Sequence, residues 1–282
     1  MTLKGKTLFM SGGSRGIGLA IAIRAARDGA NIIIAAKTAD PHPTLPGTIH
    51  TAAREIEAAG GQCLPLALDI RDDKAVEAAV AQGVERFGGI DIVVNNASSV
   101  RLTDTLATEV KRYDLMHQIN GRGTYAVTRA CLPHLLKAEN PHIIAIAPPI
   151  LTEGKWFKNY APYAISKYTM SLFILGWAEE FRDRGIASNA IWPRTAIATA
   201  AVSHEIGDAQ MLDHARTPEI VADAAYIVLT QNARECTGNF FIDDEVLIGS
   251  GKGDLSVYDV KPGNPLLSDF FLDPLLGMMP AP

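Results

Sequence analysis

The chain has 282 residues, 48% hydrophobic and 20% charged, a balance that excludes a disordered polymer and gives enough apolar material for a sizeable core. A formal net charge of −5 argues against a nucleic-acid partner. Cys63, Cys131 and Cys236 stand far apart without a Cys-x-x-Cys pair and the seven histidines are scattered, so neither a disulfide framework nor a metal site is expected.

In chain order, the apolar run Thr7 to Met10 leads into Gly12-Gly13-Ser14-Arg15-Gly16-Ile17-Gly18 and then an Ala-rich helical stretch over 16–29. Strand, tight turn and helix in that order make Gly12 to Gly18 a candidate dinucleotide site, since small residues admit a pyrophosphate and the helix start offers free N–H groups. The second strand, Asn31 to Ala36, ends in Lys37-Thr38 and not in the Asp or Glu that an NAD enzyme places on the ribose. Arg15 and Lys37 instead suit a 2′-phosphate, so NADP is the expected cofactor. A stiff loop over 38–48 with Pro41, Pro43 and Pro46 is read either as a cofactor cover or as plain surface.

A helix over 50–59 and a strand from Cys63 to Leu68 follow, ending at Asp69-Ile70, residues suited to an adenine edge or, for Asp69, to capping the next helix over 72–87. The strand Ile90 to Val94 ends in Asn95-Asn96-Ala97, where small polar residues pin strands or line a cofactor. One long helix is predicted over 104–138, then a strand from His142 to Ala147. A helix over 161–184 carries Tyr163 and Lys167 at i, i+4, on one face. A free phenol ionises near about pH 10, and an adjacent ammonium lowers that value enough to make a usable acid/base.

The strand Ile186 to Trp192, a candidate lid over 195–212, a helix over 217–231 and the strand Asn239 to Ile242 complete the pattern. Seven strands alternating with helices predict an α/β single-domain Rossmann fold: a doubly wound, parallel, seven-stranded sheet with helices on both faces. Residues 1–250 form the predicted dinucleotide-binding domain, and 251–282 a C-terminal extension whose Phe270, Phe271, Leu272 and Leu275 need a surface to pack on, in its own body or a neighbouring subunit. No apolar stretch reaches the roughly 18 residues of a membrane span and the N-terminal apolar run is too short for a signal peptide, so a cytoplasmic protein without a membrane partner is expected.

Together, Gly-x-x-x-Gly-x-Gly, Asn-Asn-Ala, an Asn in the long helix, Tyr-x-x-x-Lys and a Pro after the sixth strand resemble the short-chain dehydrogenase/reductase family, from about Lys4 to Ile242. The resemblance implies that Gly12, Gly13, Ser14, Arg15, Gly16, Ile17 and Gly18 hold the phosphates and Lys37 the 2′-phosphate. It also puts Asp69 and Ile70 on the adenine, Asn96 and Ala97 on the ribose, and Pro193 and Thr195 beside the carboxamide. Tyr163 would exchange a proton with the substrate oxygen, Lys167 would lower the tyrosine pKa and hold the ribose, and Asn120 would anchor a relay water. A homo-dimer or homo-tetramer through the helices at 104–131 and 161–184 is implied as well.

Two departures stand out. The family's Ser after the fifth strand is absent from Ile144 to Leu151, leaving Thr152 as the first hydroxyl, and the usual Gly after Pro193 is Arg194, expected to crowd the cofactor or meet an acidic substrate group. The sequence thus reads as an NADP-dependent oxidoreductase acting on a carbonyl or secondary alcohol of a mostly apolar molecule. Trp156 and Phe157 either line its pocket or form a buried core pair. The competing readings are an enoyl reductase using Tyr160 and a cofactor-binding sensor or scaffold with little turnover.

Overall fold

The computed structural model describes residues 1–43, 45–200, 202–203 and 209–280. Seven strands, β1 Thr7–Ser11, β2 Asn31–Ala36, β3 Gln62–Ala67, β4 Ile92–Asn95, β5 His142–Ile146, β6 Ala187–Trp192 and β7 Phe240–Ile242, form one sheet in the order β3-β2-β1-β4-β5-β6-β7. Every pairing is parallel. The expected α/β Rossmann architecture is therefore present. The chain winds outward from β1 through β2 and β3, then crosses back to β4, which opens a crevice at the carboxyl ends of β1 and β4.

Burial on both faces explains why β1, β2 and β5 read as unbroken apolar runs with no polar alternation. Leu8, Met10, Ile32 and Ile34 point to one core, shared with α1 (Gly16–Ala26) and α7 (Glu219–Leu229). Phe9, Ile33, Val93 and Ile143 point to the other, against α3 (Asp73–Phe87), α5 (Thr124–Leu135) and α6 (Ala161–Glu180). Adjacent residues of one strand thus serve opposite cores. Between β2 and β3, α2 (Ile49–Ala58) starts at a reciprocal cap in which the Thr48 and Thr51 side chains each accept the other's backbone N–H.

Three elements depart from the sequence reading. The single helix expected over 104–138 is instead α4 (Val110–His117), a π-helical turn Gln118–Gly123 and α5. Residues 104–109 stay outside it because Asp104 accepts the Ala107 N–H at 2.8 Å and Thr108 Oγ1 donates to the Asp104 carbonyl at 2.7 Å, local bonds that compete with the helix. In the π turn, Cβ atoms on Gly121 and Gly123 would lie 2.8 Å from Thr169 Cγ2 and 2.5 Å from Ile70 Cδ1, so glycine permits both close approaches. The helix expected over 161–184 ends at Glu180, followed by a 3₁₀ turn Arg182–Arg184. An unexpected helix, α8 (Asp243–Gly249), follows β7; Asp243, Asp244 and Glu245 fill its first turn, where the helix dipole favours carboxylates.

The candidate lid over 195–212 contains the start of a 3₁₀ stretch, Ala209–His214, while positions 201 and 204–208 lie outside the described residues. Position 44 of the proline loop and 281–282 of the extension lie outside them too. The extension runs back over the body: Thr217 N–H donates to the Tyr258 carbonyl at 2.7 Å, and Ala196 N–H to the Leu267 carbonyl at 2.9 Å. Phe271 is fully buried and Phe270 and Leu272 pack on the same core, whereas Leu275 is exposed. No helix among the described residues is long and apolar enough to cross a membrane.

Candidate active site

The glycine turn owes its shape to how closely β1, α1 and β4 approach. Gly12 takes φ +74°, and a Cβ there would stand 2.7 Å from the Ala97 Cα; one on Gly18 would stand 2.5 Å from Asn96 Nδ2 and 2.6 Å from the Gly12 carbonyl oxygen. Asn96 Nδ2 donates to that same carbonyl at 2.7 Å, and Ser11 Oγ accepts the backbone N–H groups of Asn96 and Ala97 at 3.2 Å. The end of β4 is thereby tied to the turn. Gly12, Ser14, Arg15, Gly16 and Ile17 line a cavity of about 410 Å³, within the usual range of small-molecule sites. Gly13 and Gly18 do not line it: a Cβ on Gly13 would meet Met10 Cγ at 2.7 Å, so these two serve backbone packing.

Lys37, Asp69, Ile70, Asn96 and Ala97 continue the wall. Neither proposed phosphate ligand is idle. Arg15 Nε and Nη2 donate to the Pro46 and Gly47 carbonyls at 2.7 and 2.9 Å, while Lys37 Nζ lies 3.2 Å from Asp69 Oδ2. Asp69 is shared, however, because Arg71 reaches both its oxygens through Nε at 3.0 and 2.9 Å, and these charge-assisted bonds hold its carboxyl well below the usual range. With Asp69 neutralised by Arg71, Lys37 retains a net positive charge at the mouth. The cap of α3 is Asp72 and not Asp69.

At the other end of the cavity stand Tyr163, Lys167, Trp192 and Pro193. Lys167 is 2% exposed; its Nζ donates to the Ile146 carbonyl at 2.6 Å and lies 5.3 Å from the centre of the Trp192 ring. Burial pulls its pKa down to about 7, opposed by the charge of Asp269. Asn120 is buried in the π turn, where its side chain accepts the Ser99 N–H at 2.8 Å and donates to the Ser99 carbonyl at 3.0 Å and to Ser166 Oγ at 2.8 Å. Ser166 Oγ donates on to the Tyr163 carbonyl at 2.7 Å. Asn120 does not line the cavity but fastens the loop after β4 to the helix that carries Tyr163. Thr195 is fully buried outside the cavity lining, and its Oγ1 has no hydrogen-bond partner among the described residues.

The structure corrects several expectations. Thr152 is exposed and away from the cavity, and so does not stand in for the missing Ser. Arg194 neither crowds the cavity nor faces a substrate: it is 8% exposed and turned toward α8, pairing with Glu245 and, at 3.2 Å, with Asp244, while its N–H donates to Asp243 at 2.8 Å. The unforeseen helix claims it. Trp156 and Phe157 pack in the core and do not line the cavity. Tyr160 also stays off the cavity wall, edge-on to Phe270 at 5.0 Å between ring centres.

The extension supplies what sequence reasoning missed. Leu267, Ser268, Asp269 and Phe270 line the Tyr163 end of the cavity, and Phe271 sits behind them against Tyr163, Tyr168 and Trp192. Trp192 Nε1 donates to the Phe270 carbonyl at 2.8 Å and Asp269 N–H to the Arg194 carbonyl at 3.0 Å, fixing the segment on the end of β6. The one available signal was the Phe270-Phe271-Leu272 cluster, which demanded a partner without naming it. Ala196, Ile197, Thr199, Ala200 and Val202 of the candidate lid also line the wall, Thr199 against Gly16. Among the described residues no group of three His, Cys, Asp or Glu side chains could hold a metal ion.

Comparison with known proteins agrees with this arrangement. The family model for short chain dehydrogenases matches residues 6–208. Hydroxysteroid dehydrogenase-like protein 2 of Danio rerio is 56% identical over 271 residues, 96% of this chain and 65% of that protein. The Homo sapiens protein of that name is 52% identical over 96% of this chain and 64% of its own length. The chain thus spans slightly less than two thirds of these relatives. A short chain dehydrogenase structure from Mycobacterium thermoresistibile superposes with a TM-score of 0.92 at 55% identity, covering 97% of each chain. A parallel sheet with a glycine turn at its switch point, a buried lysine one helical turn from a cavity-lining tyrosine, and these matches together identify the chain as a member of the short-chain dehydrogenase/reductase family of oxidoreductases.

Proposed function

We propose that the protein is an NADP-dependent oxidoreductase that interconverts a carbonyl and a secondary alcohol on a mostly apolar molecule, with Tyr163 as the acid/base. The observation that carries the reading is one cavity joining Arg15 and Lys37 at its mouth to Tyr163 and Lys167 at its end. The glycine turn fits a dinucleotide, since Gly12, Ser14, Gly16 and Ile17 line the cavity at the start of α1, where no side chain caps the helix. When bound, the nicotinamide supplies or accepts the hydride at the substrate carbon. Tyr163 gives its proton to the substrate oxygen in reduction and takes it back in oxidation. A charged Lys167 beside the phenol favours its ionised form, and burial, which brings Lys167 to about 7, lets that charge be gained and lost near neutrality.

Val100, Leu102, Ile197, Leu267 and Phe270 make the wall apolar, which supports a hydrophobic substrate body. The position of Tyr160, off the wall and half-buried among aromatic rings, favours carbonyl over enoyl reduction. Exposed Ile165, Leu172 and Leu175 share one face of α6, and Val110, Tyr113 and Tyr125 are exposed on α4 and α5; these patches support a homo-dimer or homo-tetramer through those helices. The test is NADPH oxidation across a panel of apolar ketones and enoyl compounds with parent, Tyr163→Phe and Tyr160→Phe proteins. Ketone reduction lost only in Tyr163→Phe, with NADPH binding retained, is the expected result. Stoichiometric NADPH binding with no substrate consumed would favour a sensor or scaffold.

A further inference from the structure

The segment after β5 offers no hydroxyl to the substrate oxygen. Ile146 and Pro148 present carbonyls already used by Lys167 Nζ and Ser171 Oγ, and Thr152 is exposed elsewhere. A reduction run by Tyr163 alone leaves the developing charge on that oxygen with one donor, whereas removal of a comparable donor costs about 10²–10³ in rate. Candidates for a second donor are few. Trp192 Nε1 is spent on the Phe270 carbonyl, and Ser268 Oγ donates to the Asp269 and Leu272 carbonyls. What remains at this end of the cavity is the carboxyl of Asp269, brought in by the extension.

From this geometry we infer that Asp269 is a catalytic residue, which in its protonated form donates a hydrogen bond to the substrate oxygen while Tyr163 delivers the proton; the inference rests on the carbonyl-reductase reading above. Asp269 is only partly covered because it opens on the cavity it lines. Its Oδ1 accepts the Phe270 N–H at 2.6 Å, and no hydrogen bond to Oδ2 is made among the described residues. Its backbone is pinned at Arg194, so the carboxyl is held in place before substrate arrives. The groups that face it are Lys167 and Tyr160 from the α6 side and Asp243 from the start of α8, whose own partners are the N–H groups of Arg194 and Asp244. Burial pushes Asp269 up to about 8; the Phe270 N–H opposes this, Asp243 adds to it and Lys167 again opposes it. Burial therefore favours the protonated carboxyl, which has an O–H to give. In reduction, the hydride adds to the carbonyl carbon, the π pair moves to oxygen, Tyr163 loses the proton that oxygen gains, and Asp269 keeps its own.

The test compares kcat/KM against pH for parent, Asp269→Asn and Asp269→Ala, together with the ¹³C-carboxyl titration of aspartate-labelled parent and Asp269→Asn. Asparagine keeps both the acceptor for Phe270 and an N–H donor but cannot ionise. Expected are an alkaline fall in the parent that moves to higher pH in Asp269→Asn, and a loss of about 10²–10³-fold in Asp269→Ala at neutral pH that narrows as the parent's carboxyl ionises. In the labelled protein, the carboxyl resonances of Asp243 and Asp269 should both titrate far above the ordinary carboxylate range, and the one at higher pH should vanish in Asp269→Asn. Asp243→Asn, which removes a like charge, should keep an alkaline fall but move it to lower pH. An unchanged pH profile in Asp269→Asn, or ketone reduction at the parent rate in Asp269→Ala, overturns the proposal while leaving the carbonyl-reductase reading standing. A parent that reduces no ketone overturns that reading and the proposal with it.

Discussion

Phe271 lets the anchoring of the extension be measured. It is fully buried, its ring 5.5 Å from Tyr168, 5.6 Å from Trp192 and 6.4 Å from Tyr163, and it adopts φ +66°, a conformation that costs a non-glycine residue roughly 1–2 kcal/mol. Phe271→Ala removes the ring and keeps the strained backbone, so it should lose about 3–5 kcal/mol. Phe271→Gly loses the same ring but relieves the backbone, and should be more stable than the alanine variant by about 1 kcal/mol, reversing the usual order in which glycine is worse by about 0.5–1 kcal/mol. Urea unfolding followed by tryptophan fluorescence measures both, because Trp192 borders the site. Proteolysis beyond residue 250 should report whether the extension detaches first. Since Phe271 also backs Tyr163, kcat should drop in both variants. A glycine variant less stable than the alanine one, or a total loss below about 1 kcal/mol, would refute the reasoning.

Lys37→Ala should weaken NADPH binding about tenfold, the lower end of what a charge-assisted contact contributes because Lys37 is 61% exposed, and leave NADH almost unchanged; equal affinity of the parent for both cofactors contradicts the assignment. Gly18→Ala puts a methyl 2.5 Å from Asn96 Nδ2 and breaks the tie to Gly12, so calorimetric cofactor affinity should fall by more than tenfold, and an unaltered affinity would show that the turn tolerates the methyl. His142, buried at the start of β5, has its pKa pulled down to about 4 by burial. Below that value and above about 6.5 its contribution is constant; in between, the unfolded chain binds the extra proton, so stability falls as pH drops from about 6.5 to 4. His142→Asn should remove up to about 3 kcal/mol of that acid loss, and an undiminished slope in urea midpoints between pH 4 and 6.5 would count against it.

The sheet was legible because burial on both faces writes a strand as a short apolar run, and seven such runs spaced by amphipathic stretches leave few alternatives. The glycine turn was legible for the related reason that close backbone approach excludes a Cβ, so Gly12 and Gly18 are chosen by contacts that any dinucleotide turn must make. Asp69 and Arg194 were less so. Their types were clear, but the partner of Asp69, Arg71 two residues on, is one of several local options, and that of Arg194, the first turn of α8 some fifty residues on, depends on folding that no local pattern encodes. Helix α8 is short and opens with three acids, which read equally well as a loop. The extension was hardest, since Asp269 reaches the cavity only because Phe271 finds an aromatic hollow built from two separate elements, α6 and β6.

The π-helical turn at Gln118–Gly123 carries an evolutionary consequence. A π turn holds one residue more than the α-helix it interrupts, so removing a single codon from this stretch would heal the helix with its flanks in place and abolish the wide turn that aims the Asn120 side chain. Asn120 would swing off Ser99 and Ser166, leaving the helix that carries Tyr163 without its tie to the loop after β4. Point substitutions change this anchor one atom group at a time, whereas a one-codon deletion removes it in a single step. Natural or laboratory lineages that keep turnover should therefore accept exchanges within 118–123 far more readily than any change in its length.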